Sequence, residues 1–190
     1  KSPVMGAQRS APLAASSKVQ WPGVVISATA NNGADTASTG IAFYEGMSLE
    51  MDPGYDAGVL SGNPEVAVYT QLAAGDDGED YGLQVLPPSA MDGAVLAVGV
   101  KTRKSGTIIF RFEKTGLPQN TVLILEDRKE NTETAITAQN DTYAATVDSE
   151  EPAYGRFYLS FTDDADGTDD NDNGGDSSGC FIGTAAFFGR

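Results

Sequence analysis

"GAVLAVGVKTRKSGTIIFRFEKTGLPQNTVLILEDR", residues 93–128, decides the fold class. Its first run, 93–101, is almost continuously apolar, the pattern of a strand covered on both faces at the centre of a sheet. The second, "GTIIFRFEK" (106–114), alternates, with Ile108, Phe110 and Phe112 on one face. The third, "NTVLILEDR" (120–128), sets Val122 and Ile124 against Leu123 and Leu125. "GLPQNT" (116–121) and, upstream, "LPPSAMDG" (86–93) are polar connections with proline where no ladder N–H is needed.

The same punctuation continues outward from Trp21 to Phe161. "GVVISATA" (23–30) leads through the turn "NNGAD" to "GIAFYEG" (40–46) and "SLEMD" (48–52). "EVAVYTQLA" (65–73) puts Val66, Val68 and Thr70 on one face, and "YGLQVL" (81–86) follows the acidic turn "GDDGED" (75–80). "TETAITA" (132–138) and "TYAATV" (142–147) precede "GRFYLSF" (155–161), where Phe157, Leu159 and Phe161 alternate with Arg156, Tyr158 and Ser160. No long run is free of Gly, Pro and β-branched residues, as a helix would require. Short strands at regular spacing without a helical period predict an all-β fold, an antiparallel β-sandwich of immunoglobulin-like or jelly-roll-like type.

The 190 residues hold one domain with extended N- and C-terminal segments. Residues 1–20, rich in Ala, Ser and Pro, read as an arm or linker, 21–161 as the sandwich, 162–179 as an acidic Gly/Asp-rich linker, and 180–190 as a hydrophobic tail. Lys1 is not an initiator methionine, so a processing event or a longer chain is expected upstream.

Net charge is −15, and the body stays acidic without the aspartates of 163–176. Phosphate backbones would be repelled, so nucleic acid is not an expected partner. Histidine is absent, which excludes Ser-His-Asp and Cys-His catalysis and histidine-based zinc sites. The single cysteine, Cys180, allows no internal disulfide; it could bridge to another chain, carry a lipid or stay a buried thiol. No stretch reaches the roughly 20 apolar residues of a transmembrane helix.

Three segments resemble a known module. They are "DPGYDAGVLSGN", with Tyr55, Asp56, Ala57, Leu60, Gly62 and Asn63; "LED", Leu125–Asp127; and "RFYLSF", with Arg156, Phe157, Leu159 and Phe161. Over about 40–161 they resemble the β-sandwich module of secreted Bacteroidetes-type surface proteins associated with type IX secretion. That likeness implies a non-catalytic accessory or adhesive module exported to the cell surface, with no catalytic residues to transfer. The closing "GCFIGTAAFFG" resembles the CFI-x-TAA box of exported bacterial proteins, which commonly follows a Gly/Ser- or Asp-rich spacer such as "DDNDNGGDSSG".

The candidate chemistry is sparse. Asp164, Asp166, Asp169, Asp170 and Asp172 offer carboxylates at near-alternating positions, as oxygen-rich Ca²⁺ loops do, but without an EF-hand pattern a solvated linker is the leading reading. The turn with Asp76, Asp77, Glu79 and Asp80 is a weaker calcium candidate. Glu126 and Asp127 are neighbours and point to opposite faces of a strand, so they cannot act as a glycosidase pair, and no enzyme is expected. Trp21 and the tyrosines Tyr44, Tyr55, Tyr69, Tyr81, Tyr143, Tyr154 and Tyr158 could bind polysaccharide as the accessory module of a larger secreted enzyme, though no three form a platform in sequence.

The tail is too short to span a bilayer and too apolar for water. A strand-length peptide on an acidic tether can add to an open sheet edge of another copy, or of another surface protein, with Phe181, Ile182, Phe187 and Phe188 filling pockets beside Cys180. Such head-to-tail contacts build filaments or surface arrays. The expectation is a secreted, cell-surface structural or adhesive subunit.

Overall fold

The computed structural model describes residues 21–30, 33, 35–59, 64–74, 79–151 and 153–163. Eleven strands form one sheet: β1 Gly23–Ala30, β2 Asp35–Phe43, β3 Ala57–Gly58, β4 Val66–Thr70, β5 Tyr81–Leu86, β6 Val95–Thr102, β7 Gly106–Thr115, β8 Thr121–Asp127, β9 Thr132–Ile136, β10 Thr142–Val147 and β11 Phe157–Asp163. A 3-10 turn, Pro88–Met91, interrupts the "LPPSAMDG" connection. Among the described residues no helix is long and apolar enough to cross a membrane.

The all-β reading holds, and so does the grouping of alternate residues on one face in β7 and β11. Ile108, Phe110 and Phe112 of β7, Leu123 and Leu125 of β8, and Phe157, Leu159 and Phe161 of β11 are all buried in one core. The apolar run 93–101 becomes β6, which lies between β4 and β11 as a central strand should.

The sheet runs β10-β7-β1-β2-β5-β4-β6-β11-β8-β9, with β3 on the flank of β5. It is not wholly antiparallel: β2 and β5 pair in parallel, from Gly40↔Leu83 to Phe43↔Leu86. The chain leaves β2 through the long 44–56 loop and β4 before returning as β5, and only such a crossover permits a parallel pair. The path narrows to the single pair Thr70↔Tyr81 between β4 and β5. The two lengths on either side close over one core, where Phe43 meets Phe161 edge-on at 5.1 Å and Phe110 meets Phe157 at 5.0 Å. The wrap is almost a barrel, because its terminal strands β9 and β10 are consecutive in the chain and joined by residues 137–141.

One expected strand is not there. "SLEMD" alternates, yet residues 44–56 form a looped excursion. Its backbone donors go to side chains instead of a ladder: Ser48 N–H donates to Asp52 Oδ2 (2.6 Å), and Asp52 N–H to Asp56 Oδ2 (2.7 Å). Short carboxylates that capture nearby amides compete with sheet pairing, and here they win.

Gly99 of β6 is required by close approach. It pairs with Tyr69 across the ladder, and a Cβ there would lie 2.1 Å from Tyr69 Cε2 and 2.6 Å from Tyr154 Cε1. The two rings meet at 62° over the glycine, and the Tyr154 hydroxyl donates to Asp80.

Candidate functional site

The calcium candidates Asp164, Asp166, Asp169, Asp170 and Asp172, and the tail residues Cys180, Phe181, Ile182, Phe187 and Phe188, lie outside the described residues, as do Asp76 and Asp77. Among the described residues no three of His, Cys, Asp and Glu converge as a metal site. Glu126 and Asp127 do face opposite ways, the first half-exposed and paired with Arg128, the second fully buried.

Two constellations stand out, and the tertiary fold builds both. The first is a carboxylate hub where the sheet closes. Asp127 ends β8 on the face that carries Leu123 and Leu125, so its carboxylate is drawn inside at 0% exposure. It survives there because five donors converge on it. Arg156 grips both oxygens, Nε to Oδ1 and Nη2 to Oδ2, each at 2.9 Å. The Tyr143 hydroxyl of β10 donates to Oδ2 at 2.9 Å. The amides of Lys129 (3.1 Å) and Glu130 (3.3 Å) donate to Oδ1 and set the β8–β9 hairpin turn, in which Asn131 takes φ 53°. Arg156 Nη1 donates further to Thr146 O (2.7 Å) and Glu151 Oε2 (3.2 Å), and its guanidinium lies 4.6 Å from the Phe157 ring centre. One ion pair thereby ties β8 and β11 to β10 across the gap at which the barrel is unclosed.

The segments "LED" and "RFYLSF" meet here. The signal was legible in part: Leu123, Leu125 and Asp127 share a face, and an inward carboxylate demands a buried cation. Its partner, 29 residues on, is placed wrongly by the alternation, which sets Arg156 with Tyr158 and Ser160 on the face away from the core; Arg156 precedes β11 and is buried.

Burial alone would raise the Asp127 pKa, but the hydrogen bonds from Arg156 and Tyr143 and the Arg156 charge outweigh it and hold the carboxyl below its ordinary range. Glu151 is lowered too, chiefly by its hydrogen bond from Lys129. A depressed folded pKa contributes stability above the unfolded value that is lost as pH falls through the folded one. Thermal midpoints should therefore stay level from about pH 8 to about pH 5 and drop progressively below about pH 4. A midpoint that rises on acidification would contradict this arrangement.

Beside the hub an open recess of about 330 Å³ is lined by Arg128, Lys129, Glu151, Tyr154, Gly155 and Arg156. Its cations are all engaged: Arg128 with Glu126 and the Tyr158 ring, Lys129 with Glu151, Arg156 with Asp127. It presents no free charge for an anion. The hub is a clasp whose ion pairs occupy the charged side chains that line the recess.

The second constellation is aromatic. Trp21, ahead of β1, and Tyr44 and Tyr55, in the loop after β2, come together with ring centres 5.2 Å (Trp21–Tyr44), 6.0 Å (Trp21–Tyr55) and 5.9 Å (Tyr44–Tyr55) apart. Their planes lie within 20° to 33° of each other. In a linear stack one separation would equal the sum of the other two; these are nearly equal, so the rings are shingled in one triangular patch. Tyr44 is 42% exposed and Tyr55 38%. No three aromatics form a platform in sequence, yet folding assembles one from positions 21, 44 and 55. The remaining tyrosines do not join it: Tyr69 and Tyr81 are buried, Tyr143 serves the hub, Tyr154 covers Gly99, and Tyr158 lies under Arg128.

Compared with known protein families, with curated proteins and with solved structures, the chain matches none of them.

Proposed function

We propose that the chain is a non-catalytic structural or adhesive subunit of the cell exterior that joins to copies of itself by strand addition. The observation that carries this reading is the side of β4 turned away from β6, in a strand that is otherwise buried within the sheet. Gln71 N–H donates to Ala97 O (3.1 Å) and Arg103 N–H to Glu65 O (3.0 Å), so the odd residues 65–71 bond to the β6 side. The backbone groups of Val66 and Val68 then face the other way. On that edge, among the described residues, β4 has a ladder partner only at Thr70.

An unpaired strand edge is a template for another strand, and "CFIGTAAFFGR" has the length and apolar content to serve as one. Residues 162–179 supply an acidic leash long enough to reach a neighbour. The likeness of 40–161 to exported surface modules, and of the tail to the CFI-x-TAA box, supports an extracellular setting. A clasped β body that, among the described residues, leaves strand edges unpaired suits a building block.

Sedimentation tests this. The full chain should run as large assemblies in the presence of reductant, and a chain ending at residue 176 should run as a monomer of slightly under 19.8 kDa. A monodisperse full-length monomer, or assemblies that survive the truncation, would refute strand donation by the tail. Assemblies that dissolve on reduction would assign the contact to Cys180 instead.

A further inference from the structure

We propose that the Trp21–Tyr44–Tyr55 patch is a binding platform for a neutral β-linked glucan, a site independent of the tail and of strand addition. Of the eight large hydrophobic side chains exposed among the described residues, five (Tyr44, Leu49, Met51, Tyr55 and Val59) fall between 44 and 59. Exposure this concentrated marks a contact surface, whereas scattered single residues would not.

The loop that carries the patch is fixed by polar bonds and not by burying its own apolar groups. Asp56 receives Asp52 N–H and Val85 N–H, both at 2.7 Å; Tyr44 N–H donates to Leu86 O at 2.9 Å, and Ala74 N–H to Leu49 O at 2.9 Å. Gly54, at φ 90°, makes the turn before Tyr55. The apolar side chains are thus left outward on a backbone already ordered, which lowers the entropy lost when a ligand docks.

Three features choose the ligand. Tyr44 and Tyr55 lie within 20° of parallel with Trp21 tilted 31° to 33° beside them, an aromatic surface against which a β-glucopyranose, with every hydroxyl equatorial, can lay the axial C–H bonds of either face. Glu45 and Glu50, exposed on the same loop, disfavour an anionic polymer at this patch and the same patch of a second copy. Those carboxylates are also acceptors for the equatorial hydroxyls of a neutral sugar.

Trp21 is the only tryptophan of the chain, so its fluorescence reports this site alone. Hydroxyethylcellulose should retard the full chain in an affinity gel and shift Trp21 emission to shorter wavelength saturably, while dextran sulfate should do neither. Tyr44→Ala and Tyr55→Ala should each weaken binding by about threefold to tenfold, the share of one stacked ring. Val95→Ala and Ile109→Ala, exposed elsewhere, should leave it unchanged. The proposal is overturned if hydroxyethylcellulose neither retards the chain nor moves Trp21 emission, or if a folded Tyr55→Ala chain binds as the parent does. It is equally overturned if removing 1–20 is needed to expose Trp21 to acrylamide, or if the tyrosine variants change only self-association, since the occupant is then the arm or a second copy.

Discussion

Arg156→Met is expected to lower stability by about 3–5 kcal/mol at neutral pH, enough to bring the thermal midpoint down on the order of 10 °C. Methionine keeps much of the stem's packing on Phe157 but removes the charge, leaving Asp127 fully buried with one hydroxyl, two amides and no cation. The sign of the pH response separates this account from a loss of packing. Without the guanidinium, burial dominates and raises the Asp127 pKa, so acid relieves the variant while it weakens the parent. The gap between the two midpoints should narrow from about pH 7 to about pH 4. Adding Asp127→Asn to the variant should recover part of the loss at pH 7, because a neutral amide tolerates the site better than an orphaned carboxylate. A cost below about 1 kcal/mol, or a gap that widens in acid, would show that the pair does not hold the barrel shut.

Phe110→Ala carries a comparable cost, about 3–5 kcal/mol, for a different reason. The ring is completely buried at the middle of β7 and meets Phe157 of the opposing β11, so its loss opens a cavity between the two lengths of sheet. Ile109→Ala, one residue away, should change stability by no more than about 0.5 kcal/mol, because that side chain is 48% exposed on the outer face. Urea midpoints of the two variants measure the alternation directly. A larger effect at Ile109 than at Phe110 would mean that β7 faces the other way, and the core described above would be wrong.

The difference between what was and was not legible in the chain follows from the range of each signal. In β7 and β11 the period of two grouped the inward residues correctly, because alternation is a property of consecutive residues, whereas in β8 both faces are apolar and only the fold turns Leu123 and Leu125 inward. In 48–52 the same period misled, because Asp52 and Asp56 bind the amides that a ladder would need. Neighbourhood of strands was not legible at all. β6 and β7 are separated only by residues 103–105, a spacing that suits a hairpin, yet they lie on opposite sides of the core and pair with other strands. The aromatic patch escaped notice for the same reason, since nothing local relates position 21 to 44 and 55.

By itself the sequence determined that this protein is all-β, which residues of β7 and β11 share a face, and that neither histidine chemistry nor an internal disulfide is open to it. Those properties depend on composition and on residues adjacent in the chain. Only the tertiary structure decided that β2 and β5 run in parallel, that Asp127 finds Arg156 at the seam of the barrel, and that three rings share a patch. Each of these is a pairing between distant segments, chosen by how the whole sheet wraps around one core, and no window of sequence contains both partners.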